Sequence, residues 1–187
     1  MSALKFRVLL DTEQESEIFR DILIDENDNF ESLYHAIISS FRFEGDQMAS
    51  FYMSNEDWDK GHEISLMDMN YGDESIDEVA SVMSSAILRD FMHEADQKVI
   101  LVYDFMRMWI FLIELLEKND SIVKTPEVIL SIGMAPPEDS RIANLNDDDD
   151  DDLYSDEFDD EEDDDNPFGD DYEDGYSDED YSKFDDY

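Results

Sequence analysis

The chain has 187 residues and a formal net charge of −42, from 54 acidic and 12 basic side chains. Residues Asp147 to Tyr187 hold 24 acids and one base, which leaves −19 on residues 1–146. Neither part offers the cationic footprint that direct nucleic-acid binding needs, and attraction to an anionic membrane is unfavourable for the same reason. There is no cysteine, so disulfides, thiolate metal sites and cysteine nucleophiles are excluded.

Leu4, Phe6, Val8 and Leu10 alternate with Lys5, Arg7 and Leu9. That period of two predicts a strand with one face inward. Ser16 to Ile24 is predicted to return as a second strand of a hairpin. Phe30, Leu33, Ile37 and Phe41 recur at spacings of three and four and predict a helix, with Asp28 or Asn29 as its cap. Met48 to Met53 reads as a third strand, and Asn55 to Gly61 as a polar loop holding Trp58. That tryptophan either anchors a partner or folds back on the domain edge. His62 to Leu66 reads as a short strand. Residues 68–80 give no clear pattern. Ser84 or Ser85 is expected to cap a short helix with Ile87, Leu88 and Phe91. Lys98 to Phe105 and Met108 to Leu116 are the most apolar segments, predicted to be antiparallel strands near the sheet centre. Val128 to Ile132 is a last short strand, and Pro136-Pro137 ends regular structure.

These elements predict an α+β domain over residues 1–145, with a mainly antiparallel sheet and packed helices. A disordered Asp/Glu-rich tail is expected over 146–187. No signal peptide is read at the N-terminus. The longest apolar stretch, Met106 to Leu116, is broken by Arg107 and Glu114, too short for a membrane span of about 20 residues. A cytoplasmic location is expected.

Three segments carry a family resemblance. Lys98 to Phe105 followed by Trp109 to Glu114 resembles a Y-D-F-G-D-x-W strand–turn–strand signature. Gly133 to Asp139 resembles a G-x-x-x-P-P-E-D element, and Phe30 to Ile37 an F-x-x-L-H-x-A-I helix. Together, over about residues 4–140, they resemble the plasmid Ri open-reading-frame-three-like family. Its relatives are mobile-element passengers often given a resolvase name. The resemblance implies a compact α+β domain without an established activity. Four departures stand out. Met106-Arg107 replaces the family's Gly-Asp, and Tyr34 stands at its helix histidine. Phe19-Arg20 falls on its W-R-R-type segment, and Ser140-Arg141 replaces a Gly-Gly pair. Resolvase chemistry is not expected, because it needs clustered arginines and a basic DNA-binding segment, whereas residues 1–146 hold six scattered arginines.

The candidate pocket residues are His35, Tyr103, Asp104, Trp109, Glu138 and Asp139. Asp104, inside an apolar strand pair, is either an acid–base group with a raised pKa or a strand-end cap bonded to turn amides and Arg107. The cap is the favoured reading. Glu138 and Asp139 are expected to cap a turn. His35, His62 and His93 lack the paired spacing of a metal site. No phosphate loop or nucleophile elbow occurs, and no cofactor or metal is expected.

The tail interleaves aromatics with its acids: Tyr154, Phe158, Phe168, Tyr172, Tyr176, Tyr181, Phe184 and Tyr187. Stretched, its 41 residues reach about 140 Å, roughly one net charge per 6 Å against one per ~1.7 Å on duplex DNA. Tight binding would therefore lean on the aromatics. Asp170 to Gly175 resembles the start of a calcium loop, but Tyr181 falls where the bidentate glutamate belongs, so only weak divalent-cation binding is expected. The leading reading is a non-enzymatic interaction module whose tail docks on a basic partner, or keeps the domain soluble. The alternative is an uncharacterised enzyme with a pocket near Tyr103, Asp104 and Trp109, which His35 would complete.

Overall fold

The computed structural model describes residues 2–13, 15–68 and 81–142. Strand β1 (Ala3–Leu10) turns Leu4, Phe6, Val8 and Leu10 into the core, as its alternation predicts. β2 (Phe19–Asp25) pairs with it antiparallel, setting Leu4 opposite Ile24 and Phe6 opposite Ile22. Helix α1 (Phe30–Ser40) starts where Asn29 Oδ1 accepts the Ser32 N–H at 2.9 Å. Its Phe30, Leu33, Tyr34 and Ile37 are buried against the sheet. Burial of a side chain such as Phe30 stabilises by about 2–3 kcal/mol. Phe30 also meets Phe51 edge-on with ring centroids 5.1 Å apart.

β3 (Ala49–Ser54) and β4 (Lys60–Ser65) form the next antiparallel pair. The two-residue β5 (Ser81–Val82) lies parallel to β4. A four-residue helix α2 (Leu88–Phe91) precedes β6 (Lys98–Tyr103), β7 (Trp109–Asn119) and β8 (Glu127–Ile132), and Glu138–Ser140 makes one 3-10 turn. The strands form a single sheet in the order β5-β4-β3-β6-β7-β1-β2-β8. The apolar β6 and β7 occupy its middle. β6 is buried from Val99 to Tyr103, and β7 turns Trp109, Phe111, Ile113 and Leu115 into the core.

The expected α+β class is overturned. Among the described residues the protein is mostly sheet, with eight strands against one 11-residue helix, one four-residue helix and a 3-10 turn. Only α1 is a substantial packed helix. The segment around Ile87 shows why. Phe30 N–H donates to Ala86 O, Leu88 N–H to Asp28 O and Arg89 N–H to Glu26 O. These bonds hold the chain extended at Ile87, which forms an isolated bridge with Asn29. Neither Ser84 nor Ser85 caps α2, and the helix is left a single turn. Tertiary bonds override local propensity here. Most of the remaining apolar residues follow a period of two and enter strands.

Among the described residues no helix is long and apolar enough to cross a membrane. The expected disordered tail lies outside the described residues, as does nearly all of the unassigned stretch 68–80.

Candidate functional site

The residues singled out from the sequence gather where β6 ends, β7 begins and the segment after β8 crosses them. Gly133 opens this strap at φ +74°, with its α-carbon so close to Glu17 O that an added Cβ would lie 2.9 Å from it. Only glycine fits there without strain. The strap then runs through Pro136-Pro137 into the Glu138–Ser140 turn.

Two anchors hold it. The Tyr103 hydroxyl donates to Glu138 Oε1 at 2.7 Å, and Glu138 Oε2 accepts the Glu44 N–H at 2.6 Å. The Trp109 indole N–H donates to Glu138 O at 3.1 Å. Arg141 is the second anchor. Its guanidinium lies over the Trp109 ring, 4.2 Å from the centroid, and donates to Met108 O and Asp11 O. Arg107 Nε returns a bond to Arg141 O at 3.2 Å.

Tyr103 also accepts the Gly45 N–H at 3.0 Å. Burial pushes its phenol well above the usual range, and the hydrogen-bonded Glu138 carboxylate adds to the rise. Burial first, then the charges of Glu138 and Asp46, push the neighbouring Tyr34 up to about 12. Both phenols therefore stay protonated at neutral pH and act here as buried hydrogen-bonding groups.

Asp104 begins the β6–β7 turn in the left-handed region, φ +57°, with its side chain 2 % exposed. Its Oδ1 accepts the Met106 and Arg107 N–H groups at 3.0 and 3.2 Å, and its Oδ2 pairs with Arg107 Nη1 at 3.0 Å. The carboxylate is thus bonded on both oxygens to its own turn. The departure from the family pattern at Met106-Arg107 is accommodated because the left-handed positions are Asp104 and Met108, not Met106. The arginine supplies Asp104 with a countercharge.

Tyr103, Trp109 and Glu138 therefore meet directly, and Asp104 stands beside them. His35 does not join. Its side chain is 66 % exposed on α1, with Nε2 4.0 Å from Glu31 Oε1. Asp139 lines an open cleft of about 510 Å³ with Arg42, Glu44, Asp46 and Arg107. A second cleft, about 540 Å³, lies on the other side of Arg107, between Asp11, Trp109 and Arg141. The sequence reading missed Glu44, Gly45 and Arg141. The first two contribute backbone N–H groups, and Arg141 reaches carbonyls, so no side-chain pattern marks them. Trp58 is half-buried with Lys98 Nζ 5.1 Å from its ring centroid, folded onto the domain. His62 bonds Ser81 and stacks on Phe91, remote from the strap.

No group of three or more metal-ligating side chains is found among the described residues. Among them, too, every buried side-chain nitrogen or oxygen has a hydrogen-bond partner. Through Tyr103, Asp104, Trp109 and Glu138 the arrangement fastens chain segments together. The tail residues Tyr154, Phe158, Phe168, Tyr172, Tyr176 and Tyr181 lie outside the described residues.

Comparison with solved structures finds a protein of unknown function, MM3350, from Methanosarcina mazei Go1. It is 20 % identical, with a TM-score of 0.60 over 75 % of each chain, which shows a shared fold alone. Comparison with the curated proteins finds no match. The sequence profile of the plasmid pRiA4b ORF-3-like proteins matches residues 2–175. That match runs past residue 140, where the motif resemblance stops, and into the acidic segment. The strap and turn described above are where two of the family's motifs meet, and the chain belongs to the plasmid pRiA4b ORF-3-like family.

Proposed function

We propose that the protein is a non-enzymatic interaction module, in which the sheet domain is a scaffold and the acidic–aromatic C-terminal segment engages a basic protein partner. One observation carries this reading. Four of the candidate pocket residues are engaged in holding the chain: Tyr103 and Trp109 bond Glu138, and Asp104 bonds its own turn. A catalytic acid or base needs a face left open to substrate. Outside the described residues, the C-terminal segment carries the densest charge of the chain. Its −23 charge attracts cations at range, and its aromatics supply the contact area that charge alone does not. Loose divalent-cation binding would accompany such a charge without requiring a built site.

The test uses the full chain beside a variant with Tyr154, Phe158, Phe168, Tyr172, Tyr176 and Tyr181 all changed to Ser. Both keep the same charge. Each is titrated with a lysine- and arginine-rich peptide containing tryptophan, at about 0.05 and 0.5 M salt. The expected result is weaker binding by the variant at both salts, with the gap persisting at high salt. Equal affinity of the two chains at both salts overturns the reading.

A further inference from the structure

We propose that the outer edge of β8 is a docking strand for an extended apolar segment of a cationic partner protein. The segment adds to the sheet antiparallel to β8 and points its basic residues at the acidic cleft off the strand's first residue. This surface is formed by described residues of the folded domain.

Among the described strands β8 pairs only with β2, so its second edge carries a row of outward N–H and C=O groups. Such an edge is a template for another strand. All six residues of β8 are exposed, and four of them are large and apolar: Val128 at 44 %, Ile129 at 48 %, Leu130 at 40 % and Ile132 at 42 %. At the opposite edge the described residues of β5 are Ser81 and Val82, paired with β4. A register shift opposite Asp21 and Ile22 inserts Ile129 as an extra residue near the start of β8. The pairing beyond it is regular, setting Leu130 opposite Asp21 and Ile132 opposite Phe19. The strand is also held in place, since Ile132 O accepts Arg20 Nη1 at 2.7 Å.

Charge selects the occupant. Glu127 begins the strand, and beyond it Asp25, Glu26 and Asp28 line a cleft of about 560 Å³ that contains Lys124 as its one base. A second copy of this chain would bring the same acids and another −42 against them. An apolar segment with lysines or arginines at its C-terminal end meets complementary charge instead, because antiparallel pairing sets that end over Glu127 and the cleft.

The test is hydrogen exchange read by mass spectrometry on the full chain, with and without a synthetic peptide of alternating valine and threonine ending in lysines. Exchange of the Glu127 to Ile132 amides is expected to slow about tenfold on saturation. The same peptide with a central proline should give no protection. Leu130→Lys with Ile132→Lys, both at exposed positions, should abolish protection while leaving the melting temperature near that of the parent. Protection confined to residues 147–187 overturns the edge proposal and leaves the tail reading intact. Protection of β8 without peptide, rising with protein concentration, also overturns it, as self-pairing. So does protection that the double substitution or the proline peptide leaves unchanged, or none at all.

Discussion

The Tyr103 hydroxyl and Glu138 Oε1, 2.7 Å apart, join residues 35 positions apart in the chain. The bond ties the end of β6 to the strap, and through Glu138 Oε2 to the Glu44 amide. A hydrogen bond to a carboxylate is worth about 1.5–3 kcal/mol, more than a neutral pair. Tyr103→Phe is therefore expected to destabilise by about 2 kcal/mol, and Glu138→Gln by about 1, since the amide oxygen still accepts one of the two bonds. Urea unfolding should show a lower midpoint with an unchanged slope. The double variant should lose less than the sum of the singles. Strict additivity would mean that the two side chains act separately.

The same pair of phenols gives the domain an alkaline limit. Tyr34 ordinarily titrates near 10.0 and is raised to about 12 in the folded protein, with Tyr103 raised as well. The folded state thus holds protons that the unfolded chain has already released. Linkage makes this contribution fully present below about pH 10 and lost as pH rises toward 12. Stability should begin to fall above pH 10, together with a delayed appearance of phenolate absorbance. Tyr34→Phe combined with Tyr103→Phe should flatten that part of the pH profile. A parent protein whose phenolates all appear at pH 10 while still folded would contradict it.

Asp104 allows backbone strain and side-chain capping to be separated. Alanine removes the acceptors of the Met106 and Arg107 amides and is poorly suited to φ +57°. Asp104→Ala should cost about 3 kcal/mol and Asp104→Asn about 1, because asparagine keeps one acceptor and tolerates the left-handed region. Asp104→Gly should fall between them, relaxed in backbone but uncapped. Thermal melts rank the three. A glycine variant as stable as the parent would show that relief of the backbone offsets the whole loss of the capping bonds, against the expected ranking.

How legible these features are in the sequence depends on how local their cause is. Phe30, Leu33 and Ile37 mark α1, and Leu4, Phe6 and Val8 mark β1, because each period follows from one element's own geometry. The centrality of β6 and β7 follows from their being the most apolar segments of the chain. The helix expected near Ile87 shrank because its amides are bonded by residues 26–28, some sixty positions away. β5 has no pattern of its own, being two residues held by β4. At the strap, Tyr103, Trp109 and Glu138 could be named from the sequence. Their mutual bonds could not, since folding alone brings them together. Arg141 was passed over as a departure from the family's Gly-Gly pair, yet it lies on Trp109 and bonds two carbonyls.

Gly133 opens the Gly133 to Asp139 segment that leads into Pro136-Pro137, and its position explains the glycine. A Cβ there would lie 2.9 Å from Glu17 O and 3.0 Å from Ile18 Cγ1, on a backbone at φ +74°. Gly133→Ala should cost about 2–3 kcal/mol from strain and displacement. The loss should appear as faster amide exchange in β8 and the strap before global unfolding. A variant with parent-like stability would mean that the strap can shift away from Glu17 freely.

Arg20 joins three elements at the other side of the strap. Though cationic, it is nearly buried. It donates to Ser40 O at the end of α1, to Phe19 O in β2 and to Ile132 O in β8, and it lies over the Phe41 ring. Burial lowers its pKa below the usual guanidinium range, with nearby Arg42 acting in the same direction. The carbonyl at the helix end favours a cation and offsets part of that cost. Arg20→Ala should destabilise by about 3 kcal/mol, and Arg20→Lys should recover less than half, because an ammonium cannot reproduce a planar fork over an aromatic ring. Exchange in β8 should rise most, since Ile132 loses its clamp. Arg89→Ala is the control. Arg89 is well exposed, and among the described residues its side chain bonds Asn27 and Asp90, so its loss should change stability by no more than about 0.5 kcal/mol. Equal effects at Arg20 and Arg89 would show that the buried clamp contributes no more than a surface contact.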